Sequence, residues 1–460
     1  METTFEERKR QLERECVVEE DQFDGLPERL EEFMVPFVSA FRRNDQRDYA
    51  TKMIGGLCSD LESKNAESIA YFFQLGRLKI QRFIGQSAWD DKPLREELAR
   101  QVAATLGEPS GVLILDPSAF NKSGKNSVGV ARQWCGRLGK VENCQVGLYL
   151  GYASSKGHAL IDTELYLPQE WTSDKQRLDQ AGVPKHKRKF QTRHTIFLEM
   201  IQRQGDTLPY QWIAGDDELG RPIEFRRKLQ AMNKQYLLAV PLNTKIVVKD
   251  NPLAVATAAS DSTAELSSPT PRRNAAIQIS QWAASQPANQ WSRVDVRDTE
   301  KGPLIVELLK CEVETGHDHF AGVSREMAVA IRYLDRDQKV IKQDYYLSNG
   351  DTTTAAAEFA RVAKAEHRIE ECFEQGKGQA GMADYEVRNW IGWHHHQTLT
   401  LVALWFLNTE TRRVGKKIAR YYDASSTHTN RFDPSRGKRM RFTPRRVDDH
   451  YQTIDANSAC

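Results

Sequence analysis

One short segment constrains this chain more than any other. Gly111-Val-Leu-Ile-Leu-Asp116 is an unbroken apolar run closed by a carboxylate, the pattern of a buried strand that delivers an acid to the rim of a sheet. The residues before it read differently. Up to residue 106, apolar side chains recur at helical spacing, as in Ile69, Phe72, Phe73, Ile80, Phe83 and Ile84, with few turn signals between them. Pro27 and Pro36 punctuate the start, and Asp90-Asp91-Lys92-Pro93 opens a helix over Leu94 to Leu106. After Asp116 come further strand candidates at Cys144 to Tyr152, Ala159 to Leu167 and Gln211 to Gly215, the last running into Asp216-Asp217. A helix from Pro222 to Met232 then leads to a fifth strand, Tyr236 to Val240. Strands followed by helices predict an α/β sheet.

The register changes again after residue 243. Residues 251–290 are rich in Ala, Ser, Thr, Pro and Gln and read as a loop or linker. Strand-like runs follow at Trp291 to Val296, Leu304 to Val313, Met327 to Leu334 and Lys339 to Leu347, with no long helix among them. Long helices return from about Thr353 to Gly376 and from about Tyr385 to Leu407. The expected organisation is a helical N-terminal domain over 1–106, the first part of an α/β core over 107–243, a β-rich insertion over 244–350, a helical completion of the core over 351–410, and a basic tail over 411–460. No internal repeat is visible.

Composition narrows the classes. No run of about 18 apolar residues exists, so no membrane span is expected. The first ten residues have no apolar stretch of the kind a signal peptide needs. Seven scattered cysteines without a CxxC pair do not make a disulfide framework and fit a reducing cytoplasm. The net charge is only +2, but it is unevenly spread. Residues 1–35 carry 12 acids against 5 bases, and residues 411–448 carry 12 bases against 3 acids, among the bases Arg412, Arg413, Lys416 and Lys417. A basic end on a near-neutral chain points to a polyanionic partner, with a solvated tail as the bland alternative.

Three acids stand out by position: Asp116, Asp216 with Asp217 as its rival, and Glu370 with Glu371 as its rival. Taken singly, each is as readily a cap, a turn residue or a surface charge. Taken together, they place an acid at the end of the first strand, another at the end of a later strand and a third on a helix near the end of the domain. Convergent carboxylates repel one another unless a hard divalent cation such as Mg²⁺ or Mn²⁺ joins them. Two such ions serve phosphodiester cleavage and transfer. Glu370, Phe373, Glu374 and Lys377 share one helical face, so Lys377 is placed to meet a phosphate. Lys122, Lys125 and Arg132 follow Asp116 closely, and Lys185, Lys187, Arg188 and Lys189 form a second basic group, both suited to backbone phosphates. His394-His395-His396 cannot converge on one ion from consecutive helical positions, which favours packing and phosphate contact over zinc. Gly124-Lys125 lacks the first glycine of a Walker loop, and neither a dinucleotide fingerprint nor an SxxK pair is present.

The segment from Leu115 to Gly136, LDPSAFNKSGKNSVGVARQWCG, resembles the first catalytic block of DDE transposases from bacterial insertion sequences, most closely the insertion sequence 701 group. Gly139 to Val146, Leu165 to Trp171 and Ala181 to Pro184 extend the likeness. Trp212 to Arg221 is similar to the second block, and His367 to Gly378 with Tyr385 to His394, which includes Arg388, to the third. The resemblance runs in order over roughly 85–410. It implies a ribonuclease-H-like core interrupted by a β-strand insertion, two Mg²⁺ (or Mn²⁺) ions held by Asp116, Asp216 and Glu370, cleavage at transposon terminal inverted repeats, and strand transfer into target DNA. Lys377 takes the lysine position of the related signature. Ala363 and Glu366 stand where that signature has tyrosine and arginine. Two DNA ends must be cut together, so a homodimer on DNA is expected, in the bacterial cytoplasm beside the nucleoid. A domesticated homologue that binds DNA without cutting it, or a stand-alone nuclease, are the alternatives.

Overall fold

Up to Leu106 the chain is helical because its apolar side chains return every three or four residues. In the computed structural model, which describes residues 22, 24–248, 276–299, 302–316, 322–335 and 337–415, five helices come first: α1 (Leu26–Val38), α2 (Asn44–Leu57), α3 (Ala66–Phe72), α4 (Arg77–Gly85) and α5 (Lys92–Leu106). In α5, Pro93 occupies the first turn, where its missing N–H costs nothing, and Leu94, Leu98, Val102 and Leu106 form the buried stripe. Asn65 caps α3 by accepting from the amides of Glu67 and Ser68 at 3.0 and 2.8 Å. The acidic first residues, most of the 251–290 stretch, and the basic tail from Lys416 onward, with Lys416 and Lys417, lie outside the described residues.

The strands then build one mixed sheet. β1 (Val112–Asn121) pairs antiparallel with β3 (Lys140–Ser154), which also carries β2 (Ala131–Cys135) and β4 (Gly157–Leu165). On its other side β1 runs parallel to β5 (Trp212–Gly215), and β5 runs parallel to β6 (Gln235–Ala239). The runs VLIL, WIAG and YLL in these parallel strands are apolar throughout, as expected of strands covered on both faces. The connection between β4 and β5 carries α6 (Gln169–Thr172), α7 (Lys175–Gln180) and α8 (Arg193–Gln204). That between β5 and β6 carries α9 (Asp217–Gly220) and α10 (Ile223–Ala231).

The later strands continue this sheet instead of forming a separate one. β7 (Lys245–Val248), β8 (Ile277–Gln278), β9 (Ser292–Thr299), β10 (Gly302–Thr315), β11 (Ser324–Leu334) and β12 (Val340–Ser348) are antiparallel to their neighbours. β12 is the seam, pairing Tyr346, Leu347 and Ser348 with Ala239, Leu238 and Leu237 of β6. Helix α11 (Ile279–Ser285) lies within the stretch read from composition as a linker. Its Ile279, Trp282 and Ala283 are buried in a second apolar cluster with Trp291, Leu309, Val313 and Ala330, contacts that composition does not encode. The buried Arg226 of α10 grips Glu326 of β11 at 2.7 and 3.1 Å, and Tyr236 donates to the same carboxylate at 2.7 Å.

Two long helices close the fold: α12 (Ala356–Gln379) and α13 (Trp390–Val414). α12 packs on β1, β4 and β5, and α13 on β4, α2, α4 and α5. α13 begins at its Asn389 cap, which accepts from Gly392 N at 3.0 Å, later than the sequence pattern suggests. Trp393, Leu399, Leu401, Val402, Ala403 and Trp405 are buried around most of its circumference, so α13 is a core helix. One apolar cluster runs from Leu26 through the sheet to Phe406. Among the described residues no helix is long and apolar enough to cross a membrane.

Candidate active site

Strand register brings the first two acids together. Leu115 of β1 lies opposite Gly215 of β5, so Asp116 and Asp216 are the next residues on adjacent parallel strands, which run about 4.8 Å apart. Asp116 does not end its strand as the apolar run suggested, since β1 continues along β3 to Asn121. What ends there is the pairing with β5, which leaves that side of β1 an edge and accommodates Pro117. Asp216 does end its strand. Its side chain caps α9, accepting from Leu219 N at 3.2 Å, and this fixes the direction of the carboxylate. Gly220, at the end of α9, is a site of close approach: a Cβ there would meet the Ala239 carbonyl oxygen at 1.8 Å.

Helix α12 adds the third acid and a fourth. Glu366 and Glu370 are one turn apart, and with Asp216, Asp217, His367 and Asp344 they line a cavity of about 1020 Å³. Asp116 feels the same group. Burial, and then the charges of Asp216, Glu366 and Glu370, push its carboxyl well above the usual range, while Lys377 works the other way. Asp216 is pushed up to about 6, mainly by burial and by Glu218. Glu366 is pushed up to about 7, by burial and by Asp216. Glu370 differs: its hydrogen bond with His367, at 3.2 Å, holds it below the ordinary value. Among the described residues no three His, Cys, Asp or Glu side chains stand close enough to hold a metal ion as they are. Like charges around one cavity lower their energy by keeping apart or staying protonated.

The rival acids have other partners. Asp217 is exposed and pairs with Arg221 at 3.3 Å. Glu371 faces Arg368 at 2.6 Å and His158 at 3.4 Å. Lys377 sits 5.5 Å from the Phe120 ring centre and 5.8 Å from that of Phe373. Lys122 is built into the fold: its ammonium lies 3.5 Å from the Tyr385 ring centre and donates to the Tyr385 carbonyl at 3.1 Å. Burial lowers its pKa to about 8. Lys125, Arg132, Lys185, Lys189, Arg388 and Arg412 are exposed. Lys187 pairs with Glu164 at 3.3 Å, Arg188 pairs with Asp179, and the exposed Arg413 pairs with Glu410 at 3.0 Å.

The three histidines of α13 are buried and point to different partners. His394 meets Glu164 at 3.1 Å, His395 lies between the carbonyls of Ile84 and Trp89 at 2.8 and 2.9 Å, and His396 meets the carbonyl of Gly381 at 2.9 Å. They serve packing. Two acids of the cavity, Glu366 and Asp344, are not among the candidates that the sequence offers, where Glu366 stands only as a departure from an arginine position. Glu366 could have been found from its spacing, one turn before Glu370 on the same face. Asp344 could not, because its place depends on the β12–β6 seam.

Residues 36–303 match the sequence model of a family described as DDE superfamily endonuclease. The match covers more than half of the 460 residues. It includes Asp116 and Asp216 and ends before Glu370. No curated protein matches the chain.

Proposed function

We propose, from the premise that this chain belongs to the DDE superfamily of endonucleases, that it is an insertion-sequence transposase of the insertion sequence 701 group. In this reading it cuts DNA at the element's terminal inverted repeats and joins the ends to target DNA. The observation that carries the reading is the register of β1 and β5, which makes Asp116 and Asp216 neighbours beneath the helix that bears Glu370. The order β4–β3–β1–β5–β6, with β1, β5 and β6 parallel, supports a ribonuclease-H-like core. The helices over 26–106 and the basic residues after Arg412 would serve DNA binding, and a homodimer would hold two ends together.

The donor set suits Mg²⁺ or Mn²⁺. It consists of carboxylate oxygens, and burial with the neighbouring carboxylates pushes the Asp116 carboxyl well above its usual range, a cost that a bound cation would relieve. Asp116, Asp216 and Glu370 would hold two such ions. When bound, they supply activation of a water or 3′-hydroxyl and stabilisation of the leaving oxygen. The protein's own groups do the rest. The α9 cap aims Asp216, the His367 hydrogen bond favours the carboxylate form of Glu370, and Lys377, which already opposes the charge of the site, positions a phosphate. Asp116→Asn should abolish cleavage of a duplex bearing the element's ends in Mg²⁺ while leaving duplex binding intact. Cleavage at the unaltered rate by that variant would overturn the reading.

A further inference from the structure

The hairpin formed by β2 and the start of β3 runs past the end of β1, and its outer face is left uncovered among the described residues. Arg132 lies opposite Asn143 and Trp134 opposite Val141, so these four share one face of the two-stranded ribbon. The other face, with Ala131, Cys135 and Cys144, is buried. On the outer face Trp134 is 56% exposed and Val141 47%, and Leu138 at the turn is 42% exposed. Among the described residues β2 is also the last strand at this side of the sheet, with no strand on its outer edge. Residues 121–143 carry five bases, Lys122, Lys125, Arg132, Arg137 and Lys140, against the single acid Glu142. Glu142 pairs with Gln133 and therefore lies on the opposite face from Trp134.

Position ties this ribbon to the site. Along β3, Tyr149 lies opposite Asp116 and Val141 opposite Trp134, a separation of eight residues on one strand. At about 3.3 Å per residue this is on the order of 26 Å, the length of about eight base pairs at 3.4 Å each. We propose that the outer face of this hairpin is a docking surface for duplex DNA. Trp134, Val141 and Leu138 rest against the sugar and base edges of the duplex, and Arg132 and Lys125 take its phosphates, about eight base pairs from the phosphate held at Asp116. This rests on the transposase reading and extends it, since the sequence assigned only the cations of this segment to DNA. The interleaving of an exposed aromatic with cations fits a nucleic acid. A second copy of the chain, pairing through the free edge of β2, is the competing occupant, but the excess of positive charge opposes self-association there.

The test uses the full chain and a fluorescein-labelled 30-base-pair duplex, with affinity read by anisotropy over a range of salt concentrations. Trp134→Ala should weaken binding about tenfold or more with the salt dependence unchanged. Lys125→Gln with Arg132→Gln should lower the slope of log affinity against log salt by about two. Trp134 is mostly exposed, and an unchanged unfolding temperature confirms that the fold is kept. Wild-type affinity in Trp134→Ala would overturn the proposal. So would a change in sedimentation from dimer to monomer without loss of DNA binding, which would assign the face to a second copy. If the unaltered chain binds no duplex at all, the transposase reading itself fails, a result distinct from either of these.

Discussion

An acid whose pKa is raised by folding binds its proton more tightly in the native state, so its contribution to stability is present at low pH and lost as pH rises. Asp216 at about 6 and Glu366 at about 7 are of this kind. The metal-free protein should therefore lose stability between roughly pH 4 and pH 7, by on the order of 1–3 kcal/mol for each group. Glu366→Gln should flatten that part of the curve and raise the unfolding temperature at pH 8, as followed by circular dichroism. A steeper curve in the variant would show that the charge at Glu366 is compensated by the fold. Excess Mg²⁺ should remove most of the slope in the unaltered chain, because a ligand that binds only the folded state stabilises it. Lys377→Gln removes the cation that opposes Asp116. We expect a loss in cleavage rate of about ten- to a hundredfold with duplex affinity changed less than threefold, measured under single-turnover conditions.

At the scale of elements, the contacts that set the site are short connections between strands and helices. Gly220→Ala would force α9 away from β6, since its Cβ would collide with the Ala239 carbonyl. That should turn Asp216 from its present direction, cost about 1–3 kcal/mol and abolish cleavage. Recovery of full activity at lower temperature would show that the helix can shift without moving the acid. Glu326→Ala would leave Arg226 buried without its partner, a loss of about 3–5 kcal/mol, visible as a large drop in unfolding midpoint in urea. The sequence made much of this level readable. The apolar runs of β1, β5 and β6 and the strands β9 to β12 appear where alternation and burial predicted them, whereas the short β7 and β8 were not foreseen. The exceptions have a common cause. β2, α11 and the extension of β1 past Asp116 are set by neighbours distant in sequence: β3 for the two strands, and Trp291 with Leu309 for α11. The place of Asp344 beside Glu366 depends in the same way on a seam of three residue pairs, which no local pattern records.

For the whole molecule, the arrangement of the core matters most. The early helices and the sheet share one apolar cluster, and α13 lies across both. Removal of residues 1–106 should therefore leave an insoluble remainder, whereas a soluble 107–460 fragment with native near-ultraviolet dichroism would show that the helices are a separable unit. The central place of α13 has a consequence for synthesis. The faces of α2, α4 and α5 that it covers emerge from the ribosome some three hundred residues before it does. At about 5–20 residues per second, they wait roughly 15–60 s for their lid. Throughout that interval the nascent chain presents uncovered apolar surface, and its carboxylate pocket stays incomplete until the helix bearing Glu366 and Glu370 has been made.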